Sequence, residues 1–539
     1  MRGGLVANTE RYDVAIVGMG PVGGVLACLL GSKGHRVVVF ERHLAPYPLP
    51  RAVHYDHETA RILQACGLGP ELEALSERAD VYEWQNGRGD VLLRFFSPGM
   101  GPSGWPYANM FWQPELEAKI ENVVSAQPSV TVRRGWQVED LGQTADEVTL
   151  SVRRVTTTEI DDWRTETTPT GDASVVAARF VVGCDGANST VRQLLGASMT
   201  DLGFYFDWLI VDVALHEPRV FEPSNYQICD PSRPTTVVSG GPGRRRWEFM
   251  RLPNETIDEL NDVARAWELL KPWDVTPDNA TLERHAVYTF QAKWVVGWRR
   301  GRALLAGDAA HLTPPFAGQG MCAGLRDAAN LAWKLDAVLS GSATDAVLEA
   351  YSVERAANVR GFIEFAVELG KVICVADDDE AAQRDAGMIA ARQISGDQAM
   401  PDIPGVSGGI VASDDPLAGS LFIQGRIRFG GRTAYFDDLL GSGWRLVTFD
   451  QDLVGALPGD DVEWFEGLGG RVVVLGTEVE DVDGSYEKWF VDHGARAALQ
   501  RPDFYLFGTA NDAAGATALL GSLRAMFSAR ADCKRKVDQ

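Results

Sequence analysis

The sequence has no C-x-x-C pair among its seven cysteines and no metal-ligand grouping among its eight histidines. An odd, scattered set of thiols argues against a disulfide framework and against a redox dithiol, and favours reduced side chains that pack as small hydrophobic groups. His54 and His57 stand three residues apart without a third ligand nearby. We therefore expect no metal site.

Basic residues and long apolar runs are also scarce. Lysine and arginine number 51 against 74 acids, which gives a formal net charge of −23, and binding of a polyanion needs a basic face. No run approaches the roughly 18 apolar residues of a membrane span, and the first dozen residues lack the apolar core of a signal peptide. We expect a cytoplasmic protein without a nucleic-acid or membrane partner. Its 539 residues should form two to four domains.

A glycine turn follows the first hydrophobic strand. The strand covers 13–17, the turn covers 18–23, and a helix-like segment comes next. A second strand ends at Glu41, beside Arg42. In this setting G-x-G-x-x-G predicts a dinucleotide site, with a pyrophosphate at the helix N-terminus and the acid on a ribose. An acid suits the free 2′-hydroxyl of FAD or NAD, although Arg42 leaves that choice open. The glycines of the turn are Gly18, Gly20 and Gly23.

Two later strands end in a glycine and an aspartate. One leads into Asp185 and a short polar turn, and the other leads into Gly307 and Asp308. A glycine-rich loop at 312–324 then opens a helix, so its backbone N–H groups could face an anion or an electron-rich carbonyl. Because Asp-Gly is also a common turn dipeptide, neither pair identifies a site alone.

The rest of the chain changes pattern three times. Short β-patterned runs at 200–290 predict an antiparallel sheet inserted in an α/β domain, where it would cover the bound nucleotide. Residues 336–400 are predicted to be helical, and a Gly/Pro/Ser-rich linker follows. Beyond the linker, helical stretches alternate with predicted strands at 444–449, 471–475 and 503–507, which indicates a small α/β domain.

Taken together, the motifs resemble those of the class A FAD-dependent aromatic monooxygenases, in the branch of the 3-(3-hydroxyphenyl)propionate and phenol hydroxylases. The segments that carry the resemblance are Pro50-Arg-Ala-Val53, Arg246-Trp-Glu-Phe-Met250, Leu305-Ala-Gly-Asp-Ala-Ala-His311 and Asn330-Leu-Ala-Trp-Lys-Leu335. The fold class that this implies is α/β. It would consist of a Rossmann-like FAD-binding domain, an inserted antiparallel-sheet substrate domain and a C-terminal thioredoxin-like α/β domain.

The resemblance also implies domain boundaries. The FAD-binding domain would comprise 1–80, 106–200 and 295–400, the substrate-binding β domain 81–105 and 201–294, the linker 401–420 and the thioredoxin-like domain 421–539. Without a C-x-x-C pair the last domain would be redox-silent, with a structural or oligomeric role. A homodimer is one assembly that we consider.

Individual cofactor contacts follow from the resemblance. They are Gly18, Gly20, Gly23, Glu41, Arg42, Arg51, Gln113, Asp185, Gly307, Asp308, Pro315, Gly318, Gly320, Met321 and Cys322. Glu41 would take the adenosine ribose, and Asp308 the ribityl or pyrophosphate region. The family usually has Asn at the position of Cys322. We expect FAD to bind regardless, because that contact uses a backbone N–H group.

The implied activity is aromatic hydroxylation. FAD reduced by NADH or NADPH would react with O₂ to give a C4a-hydroperoxide, and a phenolic carbon would take one oxygen atom from it. A phenolate attacks better than a phenol, so the site needs a base or proton relay and must exclude water. The resemblance puts four candidates near the substrate, namely His54, Tyr55, Asp56 and Tyr288. For each of them a purely structural role is the alternative.

Three functions stay open. The favoured one is hydroxylation of a small phenol, such as an aryl-propionate-like acid, in aromatic catabolism. The second is a tailoring hydroxylase of a polycyclic or polyketide phenol, and the third is an FAD oxidase or a non-oxygenating FAD-binding protein. No second complete nicotinamide-binding βαβ unit follows the first one, so the sequence does not choose between NADH and NADPH.

Overall fold

The computed structural model describes residues 9–159, 165–401 and 403–529. The strands are β1 (Glu10–Val17), β2 (Val37–Glu41), β3 (His54–Asp56), β4 (Ser76–Arg78), β5 (Val81–Gln85), β6 (Val91–Phe96), β7 (Ala108–Phe111), β8 (Val130–Arg134), β9 (Trp136–Gln143), β10 (Val148–Glu159), β11 (Thr165–Gly183), β12 (Met199–Leu215), β13 (Tyr226–Ile228), β14 (Thr235–Ser239), β15 (Arg244–Met250), β16 (Ala280–Val295), β17 (Arg299–Arg300), β18 (Ala303–Leu305), β19 (His311–Leu312), β20 (Arg426–Phe429), β21 (Arg432–Tyr435), β22 (Arg445–Thr448), β23 (Arg471–Val474), β24 (Glu480–Asp481), β25 (Ala497–Gln500) and β26 (Leu506–Ala510).

The α-helices are α1 (Pro21–Ser32), α2 (His57–Ala65), α3 (Gly69–Leu75), α4 (Gln113–Ser125), α5 (Thr190–Leu194), α6 (Ile257–Leu260), α7 (Val263–Leu270), α8 (Gly320–Leu339), α9 (Glu349–Ile373), α10 (Asp378–Ser395), α11 (Phe436–Leu440), α12 (Gln451–Gly455), α13 (Gly459–Gly467), α14 (Ser485–His493) and α15 (Ala513–Ser528).

The first sheet brings the three predicted motifs to one edge. Its order is β17-β18-β11-β1-β2-β8, and β10 and β9 extend it from β11. Strands β18, β11, β1, β2 and β8 are parallel neighbours. Their apolar runs, such as 14–17 and 37–40, are buried, as expected of a parallel sheet covered on both faces. Because parallel strands end at one edge, the turns after β1, β11 and β18 meet there with the end of β2.

The second sheet has the order β19-β16-β12-β15-β14-β13-β5-β6. The pairing is antiparallel apart from β13 with β5, so two strands from 81–96 join the strands from 199–295. Leu209, Val211, Trp247 and Phe249 form a buried cluster with residues of α6 and α7. Side chains alternate along a strand, so the intervening residues point to the opposite face of the sheet, which looks towards the first sheet.

The C-terminal unit contains two small sheets, ordered β23-β22-β25-β26 and β21-β20-β24. The strand predicted at 503–507 begins later, at Leu506. The reason is that Phe504 adopts a left-handed conformation with φ of 72°, while Asp503 is held by Arg501 at 2.7 Å. The hairpin of β20 and β21 was not predicted. Its signal is the pair Gly430 and Gly431, both with positive φ, between two β-patterned runs.

A buried ionic network joins α8 and α9 to the C-terminal unit. Glu354 accepts hydrogen bonds from Lys334 at 2.8 Å, Arg501 at 2.7 Å and Asn330 at 2.7 Å. Arg501 also pairs with Asp503, and none of these five side chains is more than 2% exposed. The neighbouring cations hold the pKa of Glu354 well below its usual range. Removing one of these buried charges leaves its partner unpaired, which is strongly destabilising, so the network is stable only when it is complete.

In the described ranges, every helix falls short of the length and hydrophobicity that a membrane span requires. The His, Cys, Asp and Glu side chains of these ranges form no group of three or more that could hold a metal ion.

Glu354→Gln should lower the free energy of unfolding by about 3–5 kcal/mol, because it leaves the buried Lys334 without an acidic partner and Arg501 with Asp503 alone. Guanidinium denaturation followed by intrinsic fluorescence measures the change. The control is Glu480→Gln, which breaks an exposed ion pair with Arg428 and should cost less than about 1 kcal/mol. Equal effects of the two substitutions would contradict the role given to this network.

Candidate active site

One cavity of about 1450 Å³ is lined by the carboxyl edge of the first sheet and by the inner face of the second. A pocket for a single small ligand is typically about 300–1000 Å³, so this space can take a dinucleotide together with a small molecule. Most of the predicted cofactor-binding residues line it, namely Gly18, Gly20, Glu41, Arg42, Arg51, Gln113, Asp185, Asp308, Pro315, Gly318, Gly320 and Met321. Gly23, Gly307 and Cys322 are not among the residues that line the cavity.

The three glycines of the first turn are needed for different reasons. Gly18 has φ of 104°, and a Cβ there would lie 2.4 Å from the carbonyl oxygen of Cys184. A Cβ on Gly23 would lie 2.0 Å from the carbonyl oxygen of Gly18. A Cβ on Gly20 would meet no atom within 4 Å. Gly18 and Gly23 therefore serve the close packing of strand, turn and helix, whereas Gly20 leaves open space on the cavity side.

Glu41 is held against this turn. Its Oε2 accepts a hydrogen bond from the backbone N–H of Met19 at 2.9 Å, and its Oε1 accepts one from the N–H of His43 at 2.8 Å. Both bonds fix the carboxylate at the end of β2, where it lines the cavity with Arg42. A fixed acid in this place can accept hydrogen bonds from the hydroxyls of a ribose.

Gln113 anchors the segment that contains Arg51. Its Oε1 accepts the backbone N–H groups of Arg51 at 2.8 Å and of Ala52 at 2.7 Å. The guanidinium of Arg51 lies over the ring of Tyr47, with 5.0 Å to the centroid, and its side chain is exposed. No acid of the described residues forms an ion pair with this guanidinium, which lines the cavity and is therefore suited to an anionic ligand.

The two aspartates of the later motifs lie in different surroundings. Asp185 accepts hydrogen bonds from the hydroxyl of Ser189 and from the N–H of Val191 at 3.0 Å, which closes the polar turn before α5. Burial raises the pKa of Asp185, against these hydrogen bonds. Asp308 is half-buried in the turn after β18, and the N–H of Gly307 beside it donates to Asp327 at 3.0 Å. The carboxylate of Asp185 is occupied by these hydrogen bonds, whereas that of Asp308 accepts none from the described residues. Asp308 is therefore the aspartate that can bind a ligand.

The loop before α8 packs against His54. Gly318 has φ of 63°, and the Nδ1 atom of His54 lies 3.2 Å from its carbonyl oxygen. Helix α8 begins at Gly320 without a side-chain cap, so its first N–H groups are available to a ligand. Cys322 points inward, with Sγ 3.9 Å from the carbonyl oxygen of His54, and burial raises its pKa to about 12. Its thiol therefore stays neutral and does not line the cavity.

Two of the four predicted catalytic residues line the cavity. His54 is half-buried there, and burial lowers its pKa, so the imidazole is neutral at pH 7. Tyr288 lines the same space from β16, with the guanidinium of Arg284 4.4 Å from its ring centroid.

The other two, Tyr55 and Asp56, are engaged in the fold and lie outside the cavity wall. The hydroxyl of Tyr55 donates to Ser76 at 3.0 Å. Asp56 caps α2 by accepting the N–H of Thr59 at 2.9 Å, and it pairs with Arg326 at 2.5 Å. Alternation along β3 turns Tyr55 away from His54, and capping uses Asp56. We therefore drop both as candidates for the base.

Polar groups on the inner face of the second sheet were not predicted from the sequence. Arg246 forms two hydrogen bonds with Asp212, at 2.7 and 3.0 Å, and also donates to the backbone of the Arg51 segment. Arg284 and Glu248 lie beside this pair and line the cavity. Burial raises the pKa of Glu248, and Arg246 opposes that shift. In the sequence, these groups are indicated by the mix of charged and apolar residues in β15. Which of those side chains face the cavity depends on the strand register, which the sequence does not provide.

Comparisons with known proteins agree with this geometry. A profile of the FAD binding domain matches residues 11–366, and one of the HcaD C-terminal domain matches residues 419–526. The chain is 39% identical over 515 residues to a probable NADH-specific resorcinol 4-hydroxylase of Rhodococcus jostii, covering 94% of each chain. It is 32% identical over 537 residues to a 3-(3-hydroxy-phenyl)propionate/3-hydroxycinnamic acid hydroxylase of Mycobacterium sp. strain JLS, covering 93% of this chain and 90% of that one.

A solved structure shows the same fold. The flavin-dependent monooxygenase PieE, in complex with FAD and substrate, superposes with a TM-score of 0.78 at 20% identity, covering 96% of this chain and 99% of that one. The chain thus belongs to the class A FAD-dependent aromatic monooxygenases. It is an aromatic hydroxylase that uses FAD, a reduced nicotinamide and O₂, which confirms the predicted family, enzyme class and cofactors.

The residues present fit FAD. Helix α1 starts at the glycine turn without a side-chain cap, so its first N–H groups and the open side of Gly20 can receive a pyrophosphate. In a complex with FAD, Glu41 would supply an acid for the adenosine ribose and Arg51 a cation for a phosphate. The uncapped start of α8 would offer N–H groups to the polar edge of the flavin ring.

Gly20→Ala should weaken FAD binding at least about tenfold and cost the apoprotein less than about 1 kcal/mol of stability, since Gly20 is the N-cap of α1 and alanine is less favourable there. Gly20 has φ of −75°, which alanine adopts freely, and the new methyl group enters only cavity space. Titration of apoprotein with FAD, followed by flavin fluorescence, gives the Kd, and thermal melting gives the stability. Gly142→Ala, at an exposed glycine whose Cβ also meets nothing within 4 Å, is the control. Unchanged FAD affinity in Gly20→Ala would remove this turn from the cofactor site.

Proposed function

We propose that the enzyme hydroxylates a small monocyclic phenol with NADH as reductant, and that a resorcinol-type phenol is its first substrate to test. The printed name of the 39% identical relative supports both the substrate and the reductant. The relatives named for hydroxyphenyl-propionate hydroxylation are 30–32% identical, so the aryl-propionate-like acid favoured from sequence becomes the second candidate. A polycyclic substrate has support only from neighbours of the same fold.

The observation that carries this proposal is the continuity of the cavity. The glycine turn at Gly18 and the helix start at Gly320 open into the same space as His54 and Tyr288. Phe290 and Phe316 add aromatic walls there, with ring centroids 5.9 Å apart. A cofactor that reaches both helix starts would thus present its ring to a small aromatic molecule near His54.

In this proposal the glycine turn, Glu41 and Arg51 hold the adenosine and phosphate part, and the loop at Pro315 to Met321 holds the ring. FAD, when bound, supplies the redox chemistry by which one oxygen atom of O₂ is added to the substrate. The aromatic rings of Phe290 and Phe316 would pack against the substrate and reduce the access of water to it. The protein also supplies a proton acceptor for the phenol hydroxyl.

His54 is the proposed acceptor. Its Nδ1 faces the carbonyl oxygen of Gly318, so that nitrogen must carry the hydrogen and donate it. The Nε2 atom then holds a lone pair that can take the phenolic proton. Tyr288 is the proposed orienting residue, since the guanidinium of Arg284 lies 4.4 Å from its ring centroid and Tyr288 lines the same cavity as His54.

We also propose the domain division 1–80, 106–200 and 295–400 for FAD binding, with 81–105 and 201–294 as the substrate-binding domain. The pairing of β13 with β5 supports assigning 81–96 to the second sheet. The C-terminal part after the 401–420 linker is proposed to be thioredoxin-like, on the basis of its four-stranded sheet with one parallel and two antiparallel pairs.

The cellular location and assembly are further proposals. Six cysteines in the described ranges are free, and five of them are buried. Unpaired thiols suit the reducing cytoplasm. A homodimer is kept as the assembly to be tested by light scattering.

The proposed function is tested by NADH oxidation and isotope labelling. Resorcinol should stimulate NADH oxidation by the FAD-loaded enzyme, and the product should carry one atom from ¹⁸O₂, detected by mass spectrometry. Stimulated H₂O₂ formation without label in any product would favour an oxidase. Activity with polycyclic phenols and none with monocyclic ones would favour the tailoring alternative.

His54→Asn should lower kcat/KM about 10²- to 10⁴-fold, the usual contribution of a positioned base. The neutral imidazole is the active form and burial lowers its pKa, so wild-type activity should fall only below about pH 6.5, as the ring becomes protonated. The substitution should remove this acid limb from the pH profile. Activity measured from pH 5 to 8 checks it, and an unchanged profile would exclude His54 as the acceptor.

A further inference from the structure

A buried chain of hydrogen bonds runs from the C-terminal unit to the loop before α8. The hydroxyl of Tyr505 donates to Oε1 of Glu58 at 2.6 Å, and Nε of Arg326 donates to Oε2 of the same carboxylate at 2.6 Å. Nη1 of Arg326 then donates to Oε1 of Gln319 at 2.9 Å. All four side chains are at most 9% exposed. Three hydrogen bonds therefore connect a residue of the C-terminal unit with the loop whose glycines line the cavity.

The guanidinium of Arg326 holds two elements of the cavity wall at once. Its Nη2 pairs with Asp56, which ends β3 two residues after His54. Its Nη1 holds the side chain of Gln319, the residue immediately before α8, which makes no capping bond of its own. A shift of this guanidinium would therefore change the distance between His54 and the loop that is proposed to hold the flavin ring.

The hydroxyl of Tyr505 is what satisfies the other half of the Glu58 carboxylate. Among the contacts of the described residues, it is the one donor to Oε1 of Glu58. Because Glu58 is buried, water cannot replace this hydrogen bond, and an unsatisfied carboxylate oxygen is costly. Without the hydroxyl, the carboxylate would rearrange around its remaining donor, Arg326, and so disturb the hydrogen bond to Gln319.

We propose that Tyr505 is a positioning residue for the hydroxylation, and that the C-terminal unit thereby sets the position of the loop that holds the flavin ring. The inference rests on the proposed place of that ring, and it gives the C-terminal unit a role in catalysis. Tyr505 is not among the residues that line the cavity, so it acts through Glu58 and Arg326. Its hydroxyl keeps the flavin loop and His54 at the separation that the reaction needs.

The test compares Tyr505→Phe with wild type, both as the full chain loaded with FAD. The substitution removes only the hydroxyl and keeps the ring in its apolar cluster with Val406 and Val411. Tyr435→Phe is the matched control, since the hydroxyl of Tyr435 also joins the C-terminal unit to the rest of the chain, but donates to the backbone carbonyl oxygen of Gly104 at 2.6 Å. The measured quantities are the absorption spectrum of bound FAD, kcat/KM for resorcinol, and the fraction of oxidised NADH that is recovered as H₂O₂.

Tyr505→Phe should lower kcat/KM about 10- to 100-fold, as expected when reacting groups are slightly misplaced. Electrons from NADH that do not reach the phenol reduce O₂ to H₂O₂, so the H₂O₂ fraction should rise at least about twofold. The absorption bands of bound FAD should also change in shape, because the surroundings of its ring change. Tyr435→Phe should match wild type in all three quantities. A purely structural role of Tyr505 would lower the thermal stability and leave the H₂O₂ fraction and the spectrum unchanged.

The proposal is overturned if Tyr505→Phe keeps the wild-type H₂O₂ fraction, or if Tyr435→Phe raises that fraction equally. Gln319→Leu removes the acceptor at the other end of the chain of hydrogen bonds. It should reproduce the effect of Tyr505→Phe, and the double variant should be no worse than Gln319→Leu alone. If Tyr505→Phe does not fold, Gln319→Leu decides, and wild-type behaviour of that variant overturns the proposal. If wild type oxygenates no phenol, the proposed function fails, and the FAD spectra of Tyr505→Phe and its control then decide on Tyr505.

Discussion

The structure depends on the burial of charge along helix α8. Arg326, Asp327, Asn330 and Lys334 are all essentially inaccessible to water, on a helix whose first turn opens into the cavity. Their partners come from the β3–α2 segment, the turn after β18, helix α9 and the C-terminal unit. Desolvated charges must be matched by fixed partners, so the helix can occupy only one position relative to them. Because the preceding loop is joined to this helix, the loop that would hold the flavin ring is fixed with it.

Asp327 shows how this constraint reaches the cofactor site. One carboxylate oxygen accepts the N–H of Gly307 and a ring nitrogen of His311, and the other accepts a hydrogen bond from Arg355. The turn that carries Asp308 is thereby tied to α8. Arg326 links the same helix to Asp56 and Glu58, and the hydroxyl of Tyr505 donates to Glu58. The C-terminal unit is thus connected to α8 through the hydrogen bond of Tyr505 to Glu58 and the ion pair of Glu58 with Arg326.

The part of the site that could be predicted from sequence is the part built on local geometry. Gly18 and Gly23 are required by contacts within one strand-turn-helix unit, and Glu41 follows at the end of the next strand, so a short window of sequence contains the information. Asp308 belongs to a similar local turn. Tyr55 and Asp56 were implied by the resemblance, but alternation along β3 and the capping of α2 engage both side chains in the fold.

The substrate end could not be predicted, because it depends on pairing between distant strands. Arg246 and Asp212 meet only through the register of β12 with β15, and Glu248 is placed by the same register. A shift by one residue would send all three side chains to the opposite face of the sheet. In the C-terminal unit, the strand predicted at 503–507 begins at Leu506 instead, because Asp503 is ion-paired and Phe504 is left-handed. Both features depend on the tertiary structure.

The most direct test of the central claim is a crystal structure of the enzyme with FAD and resorcinol bound. The account predicts the adenosine ribose at Glu41, the flavin ring against the 315–321 loop, and one resorcinol hydroxyl within hydrogen-bond distance of Nε2 of His54. A flavin ring bound away from this loop, or a phenol outside the cavity wall of the second sheet, would contradict it.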